Sequence, residues 1–135
     1  MQNHEASACT DITGFGLAGH LIEMLKNSKS TAVININELP LIDGALETLK
    51  LGIFSTLHPK SQRFEQQIEH TDEACLHAAF PMLFDPQTSG GLLGSIPAEK
   101  ADACLADLLA QGYESSKIIG RVVEAKSTKK ISLTT

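Results

Sequence analysis

The chain has 135 residues, 42% of them apolar and 20% charged, and a net charge of −5 at neutral pH. That length and balance suit a single soluble globular domain, residues 1–135, with a core of its own. One Tyr, five Phe and no Trp give no stacking platform for nucleic acid, and the dispersed Lys and Arg give no stripe for a phosphate backbone. No apolar run approaches the ~20 residues of a membrane span and no signal-peptide pattern opens the chain, so neither a membrane nor a nucleic acid is an expected partner and the default compartment is cytoplasmic.

Residues 1–6 (MQNHEA) carry no pattern, and they and residues 126–135 are expected to be loosely ordered ends. The stretch from Ala8 to Leu25, ACTDITGFGLAGHLIEML, organises the rest of the chain. It reads as a short extended run, a Thr/Asp/Gly turn and an apolar helix whose stripe is Leu17, Leu21, Met24 and Leu25. Asp11 and Thr13 are candidate N-caps, because a short side-chain oxygen accepts from the free N–H groups of a first turn. Gly14, Gly16 and Gly19 keep the junction free of bulk. A helix start of this kind presents backbone N–H groups to an anion. Asp11 has the wrong sign for a bare phosphate and the right sign for Mg²⁺ carrying phosphates. The same residues are equally a cap and a tight turn with no ligand, and their spacing is neither GxGxxG nor GxxxxGK[ST]. His20, within the helix, reads as a packed or capping side chain.

TAVININ, Thr31 to Asn37, alternates as a half-buried strand. Leu41 to Leu51 reads as a second helix with a stripe of Ile42, Ala45, Leu46 and Leu49, stopped by Gly52. Ile53 to His70 is the least regular part, with a short helix expected in KSQRFEQQIEH; Lys60 and Arg63 there read as a solvated face. Asp72 to Phe80 reads as a short helix halted by Pro81. DPQTSGG, Asp85 to Gly91, is a dense turn signal, with hydroxyls on Thr88 and Ser89 and a Gly90-Gly91 pair that admits unusual backbone angles. It is read either as a tight connection into a strand from Leu92 to Ile96 or as a backbone concavity facing a ligand. Pro97 precedes a helix with the stripe Ala101, Cys104, Leu105, Leu108 and Leu109, closed by Gly112 as C′ residue. KIIGRVVE, from Lys117, reads as a strand, and Ile131 to Leu133 as a last edge strand. Helices interspersed with short strands make this a mixed α/β domain.

The three cysteines, Cys9, Cys75 and Cys104, are far apart, which argues against a disulfide framework and against zinc. Cys104 and Cys9 are both read as buried. Cys75 and His77 lie two apart with nothing nearby in the sequence to complete a metal set.

Two stretches, ACTDITGFGLAGHL and LFDPQTSGGLL, resemble in this order the signatures of the C-terminal domain of selenophosphate synthetase (selenide, water dikinase), within the aminoimidazole ribonucleotide synthetase-like superfamily. The resemblance runs from about Ser7 to Ala125 and covers only the second half of that enzyme. It implies a mixed-sheet α/β sandwich with helices packed on the sheet, partly ferredoxin-like. It implies one domain of an ATP-dependent enzyme that makes selenophosphate, AMP and phosphate from selenide, ATP and water. Mg²⁺ and ATP would be held mainly by an N-terminal ATP-binding domain, the partner within the same protein, and the full-length protein would be a homodimer. Asp11 would reach the metal cluster, Thr10, Thr13 and Gly14 would lie beside the nucleotide phosphates, and Asp85, Thr88, Ser89 and Gly90 would lie near the cleft. No catalytic residue falls in this chain, because the family's Cys/Lys segment is absent from it, so the chain alone is expected to be inactive. Met1 is followed at once by sequence that lies inside the resembled proteins, so the chain is expected to begin at a truncation or gene-model boundary. The alternatives are a stand-alone nucleotide- or protein-binding module of the same fold, or a sibling phosphotransferase domain.

Overall fold

A computed structural model describes residues 1–135. Five α-helices and six strands form two sheets. Strands β1 (Ala8–Asp11) and β4 (Leu92–Ser95) make an antiparallel ribbon. The second sheet is mixed, in the order β3-β6-β2-β5, with β2 at Ser30–Asn35, β3 at Ile68–Glu69, β5 at Gly120–Glu124 and β6 at Ile131–Thr134. In it β6 runs parallel to both β2 and β3, and β2 runs antiparallel to β5. Helices and a mixed sheet make this an α/β fold.

The core is one cluster. Helix α1 (Gly16–Leu25) supplies Ala18, Leu21, Ile22 and Leu25; the sheet supplies Ala32, Ile34, Ile68, Ile131 and Leu133; Phe80, Leu83 and Phe84 close it. The buried face of α1 is rotated from the expected stripe, for Leu17 and Met24 are only half-buried while Ala18 and Ile22 are covered. The small Ala18 face lets the helix lie close to the segment Phe80–Phe84, and close packing outweighs the larger apolar area of Leu17. That segment is a 3₁₀ turn with Pro81 in its first turn. Proline lacks only an N–H that has no acceptor there, so Pro81 continues the chain's coiling rather than halting it.

Ile131 and Leu133, 1% and 3% exposed, lie on an inner strand. The edges are instead β3, which the sequence pattern did not signal, and β5, every residue of which is exposed. The helix expected from Leu41 shortens to α2 (Ala45–Lys50), which buries nothing, and Ile42 is 81% exposed. Gly44 at φ 84° takes the N-cap position, a left-handed residue that Leu41–Asp43 cannot pass as helix. Two short helices come next, α3 (His58–Ser61) and α4 (Asp72–Leu76). Helix α5 (Ala98–Ala110) ends in the expected cap, with Gly112 N–H donating to Leu109 O and Tyr113 N–H to Leu108 O. Its stripe is covered only at Cys104, and Leu109 is exposed. It rests on the N-terminal turn, where the His4 ring meets Asp107 at 2.7 Å and Lys100 pairs with Glu5. No helix is long and apolar enough to cross a membrane.

Candidate functional site at the strand-to-helix junction

The two motif stretches, about sixty residues apart in the chain, meet backbone to backbone. Asp11 pairs with Leu92 and Thr10 with Leu93 across the β1–β4 ribbon. The contact continues past the strands, with Ile12 N–H donating to Gly91 O at 2.9 Å and Gln87 N–H to Thr13 O at 3.0 Å. Gly90 allows this approach, since a Cβ there would stand 2.2 Å from Ile12 O. Gly16 does the same on the other side. Its φ is +66°, and a Cβ would meet the backbone of Leu83 and Phe84 at 2.9 Å. An alanine at either position would drive carbon into peptide backbone, which has no rotamer with which to yield.

Asp11 is the last residue of β1, not a helix cap, and its carboxylate is exposed and has neither a hydrogen bond nor an ion pair within the chain. Thr10 Oγ1 donates to Asp11 O at 3.2 Å. Thr13 does not cap α1 through its side chain; its Oγ1 pairs with His20 Nε2 at 3.0 Å, while its carbonyl accepts from Gly16 N–H at 3.1 Å. Phe15 holds the N-cap position, so α1 begins with no side-chain cap and no acid in its first turn. The positive end of the helix is left without a compensating side-chain oxygen. Gly14 faces open space.

On the facing loop Thr88 and Ser89 are exposed, and Asp85 Oδ1 is buried without a hydrogen-bond partner. A buried carboxylate oxygen with no donor is costly unless something else satisfies it. The fold therefore collects Thr10, Asp11, Thr13 and Gly14 with Asp85, Thr88, Ser89 and Gly90 around one junction. His20, which the sequence offers as a packed or capping side chain, is packed, and Phe15, to which the sequence assigns no role, lies beside it. Their rings lie 5.5 Å apart, tilted by 33°, and Phe15 in turn meets Phe64 edge-on at 6.0 Å. The i, i+7 spacing of Thr13 and His20 was the only signal of that hydrogen bond. Cys9, beside the site, is exposed rather than buried, because it shares with Asp11 the face of the ribbon on which no second layer packs.

The donors fit Mg²⁺ and phosphate by class. Mg²⁺ takes hard oxygen ligands, one or two of them carboxylates, with the rest from phosphate and water. Asp11 supplies an exposed oxygen of this kind and Asp85 a buried one without a donor, and the α1 start has no side-chain cap, although Gly16 is buried and its N–H already donates to Thr13 O.

Residues 1–131 match the family described as AIR synthase related protein, C-terminal domain. The chain is 37% identical over 122 residues to the selenide, water dikinase of Clostridioides difficile strain 630, covering 90% of this chain and 35% of that protein. It is 45% identical over 115 residues to the selenide, water dikinase of Shewanella baltica strain OS155, covering 84% and 31%. It is 40% identical over 124 residues to that of Agathobacter rectalis, covering 88% and 34%. The chain thus spans about a third of the length of the curated relatives it matches.

Proposed function

From the premise that the chain belongs to the AIR synthase related protein family, as its C-terminal domain, we propose that it serves a selenophosphate synthetase. In that reading residues 1–135 are one domain of a longer cytoplasmic protein whose N-terminal domain binds ATP. The whole protein, a homodimer, converts selenide, ATP and water to selenophosphate, AMP and phosphate. The exposed, unpaired carboxylate of Asp11, fixed at the end of β1 by the backbone junction, is the observation that carries the reading. Asp11 would hold Mg²⁺ from this side, with Thr10, Thr13 and Gly14 against the phosphates and Asp85, Thr88, Ser89 and Gly90 shaping the facing wall. When bound, Mg²⁺ supplies neutralisation of the charge that builds on the transferred phosphoryl group.

The work of this chain's own residues is positioning. His20 holds the Thr13 hydroxyl, which leaves the Thr13 carbonyl to fasten Gly16 and Gln87. Leu92, the strand partner of Asp11, and Phe15, at the N-cap of α1, are 68% and 42% exposed and give the junction apolar surface. That surface suits the N-terminal domain, which would exclude water from the junction on docking. With one wall of the site and no nucleophile, the chain alone has no turnover.

The test is Asp11→Asn in the complete protein. Asparagine keeps the size and loses the charge. Unchanged melting with selenide-dependent AMP formation reduced by orders of magnitude across a Mg²⁺ titration is the expected outcome, since contacts of this kind contribute about 3 kcal/mol or more at a transition state. Unchanged melting with unchanged turnover would remove Asp11 from the metal site.

A further inference from the structure

Five histidines occur in the chain, and four have hydrogen-bond partners. His4 meets Asp107, His20 meets Thr13, His58 meets Pro81 O, and His77 meets Asn37 and the Ala79 N–H. His70 has none. Its Nε2 faces Glu65 Oε1 at 3.8 Å, too far for a hydrogen bond, and its ring is set edge-on against Phe80 at 5.6 Å. The Cys75 thiol and the Glu65 carboxylate also have no hydrogen-bond partner, yet ligand atoms of Glu65, His70 and Cys75 all lie within 4.8 Å of one another. Three polar groups that bond to nothing else converge on one point. This is also the partner set that was not apparent around Cys75 in the sequence; His77, two residues on, turns instead to Asn37.

We propose that Glu65, His70 and Cys75 form a binding site for a zinc-class divalent transition metal, separate from the Asp11 junction. The donors are one thiolate, one imidazole and one carboxylate. That set suits zinc and its neighbours and does not suit Mg²⁺, which takes oxygen alone. A thiolate and a carboxylate neutralise a divalent ion, so the filled site carries no net charge. Ligand atoms around tetrahedral zinc stand about 3.3–3.8 Å apart, given bonds of about 2.0–2.3 Å; Glu65 and His70 already stand at 3.8 Å, and the whole set, within 4.8 Å, closes by side-chain movements of about an ångström. Three protein ligands leave a fourth position for water.

The placement gives the metal a structural consequence. Glu65 lies on the 3₁₀ turn Gln62–Gln67, His70 directly after the two-residue edge strand β3, and Cys75 on α4. Helix α4 is already fixed by Thr71, whose side chain accepts from Ala74 N–H at 3.2 Å. A bound ion ties the elements on both sides of β3 together and secures the weakest edge of the mixed sheet.

The 135-residue chain, stripped of metal, is titrated with Co²⁺ and with Zn²⁺. The expected result is one Co²⁺ per chain, with the visible bands of four-coordinate cobalt and a near-ultraviolet thiolate-to-cobalt band. Zn²⁺ is expected to raise Tm and to protect Cys75, but not Cys9, from alkylation read by peptide mass. Cys75→Ala removes the thiolate band. His70→Ala weakens binding by more than the roughly 10–100-fold that loss of an outer-shell partner costs; Cys9→Ala leaves binding unchanged. Absence of a thiolate band, a band that survives in Cys75→Ala, or alkylation of Cys75 undiminished by Zn²⁺ in the unaltered chain would each overturn the site. The alkylation measurement needs no variant, so misfolding of a variant does not rescue the proposal.

Discussion

Replacing Gly90 with alanine tests the backbone junction directly, because the neighbouring glycine is its own control. A Cβ at Gly90 would stand 2.2 Å from Ile12 O and 3.1 Å from Ile12 C, whereas at Gly91 it meets nothing within 4 Å. Relief at Gly90 requires the Ile12 peptide to retreat by most of an ångström. That peptide is pinned on both sides, by Ile12 N–H to Gly91 O and by Gln87 N–H to Thr13 O. Stretching both hydrogen bonds costs about 1–3 kcal/mol, and overpacking costs of similar size are usual where backbone must shift. The expected loss for Gly90→Ala is about 2–3 kcal/mol, a fall in Tm of roughly 6–15 °C for a chain of this length. Gly91→Ala is expected to stay within about 1 kcal/mol of the unaltered chain, since it meets no atom and stiffens only the unfolded state. Thermal and urea melts of the two variants beside the parent decide the matter. Equal melting of both variants, whether both unchanged or both destabilised, would refute the argument that Gly90 is required by its contact with Ile12.

Other expectations rest on burial and capping. Ile131→Ala, on the inner strand, should cost about 2–5 kcal/mol in urea unfolding, while Val122→Ala on the exposed edge strand should cost under about 1 kcal/mol; comparable losses would contradict the strand order. Thr71→Ala removes the side-chain cap of α4 and should cost about 1 kcal/mol by thermal melting; a loss near zero would mean that the cap hydrogen bond contributes nothing. The 135-residue chain on its own should form no AMP from ATP and selenide; AMP that tracks this polypeptide through purification would show that it holds a complete site.

What the sequence disclosed and what it hid divide along the separation of the contacts involved. Helix α5 and its glycine cap were legible because every bond in them joins residues five or fewer apart, and β1, β2 and β4 because alternation and turn residues are local signals. The helix expected from Leu41 begins only at Ala45 because the left-handed Gly44 outweighs an apolar period. The position of β6 inside the sheet depends on pairing with Ala32 and Ile68, far away in the chain, and two apolar positions, Ile131 and Leu133, in a short strand do not say how many neighbours the strand has. Cys9 was expected inside on residue type alone; a two-stranded ribbon gives it no second layer to be inside of.

The site was half legible for the same reason. Its residue types stood out, since Asp11 beside Gly14 and Gly16, and Asp85 ahead of Gly90, are unusual company. Their roles did not, because each depends on the other stretch. Asp11 looked like a cap while only its own helix was in view. Once β1 is paired with β4, the residue is committed to a strand end and its side chain is released from capping. Gly90 looked like turn chemistry, yet its backbone lies against Ile12 O and no positive φ is involved. A glycine selected for close approach leaves the same letter in a sequence as one selected for a turn. The two are told apart by which alanine is tolerated, and a wall held by peptide groups alone keeps the carboxylate of Asp11 free for whatever lies across it.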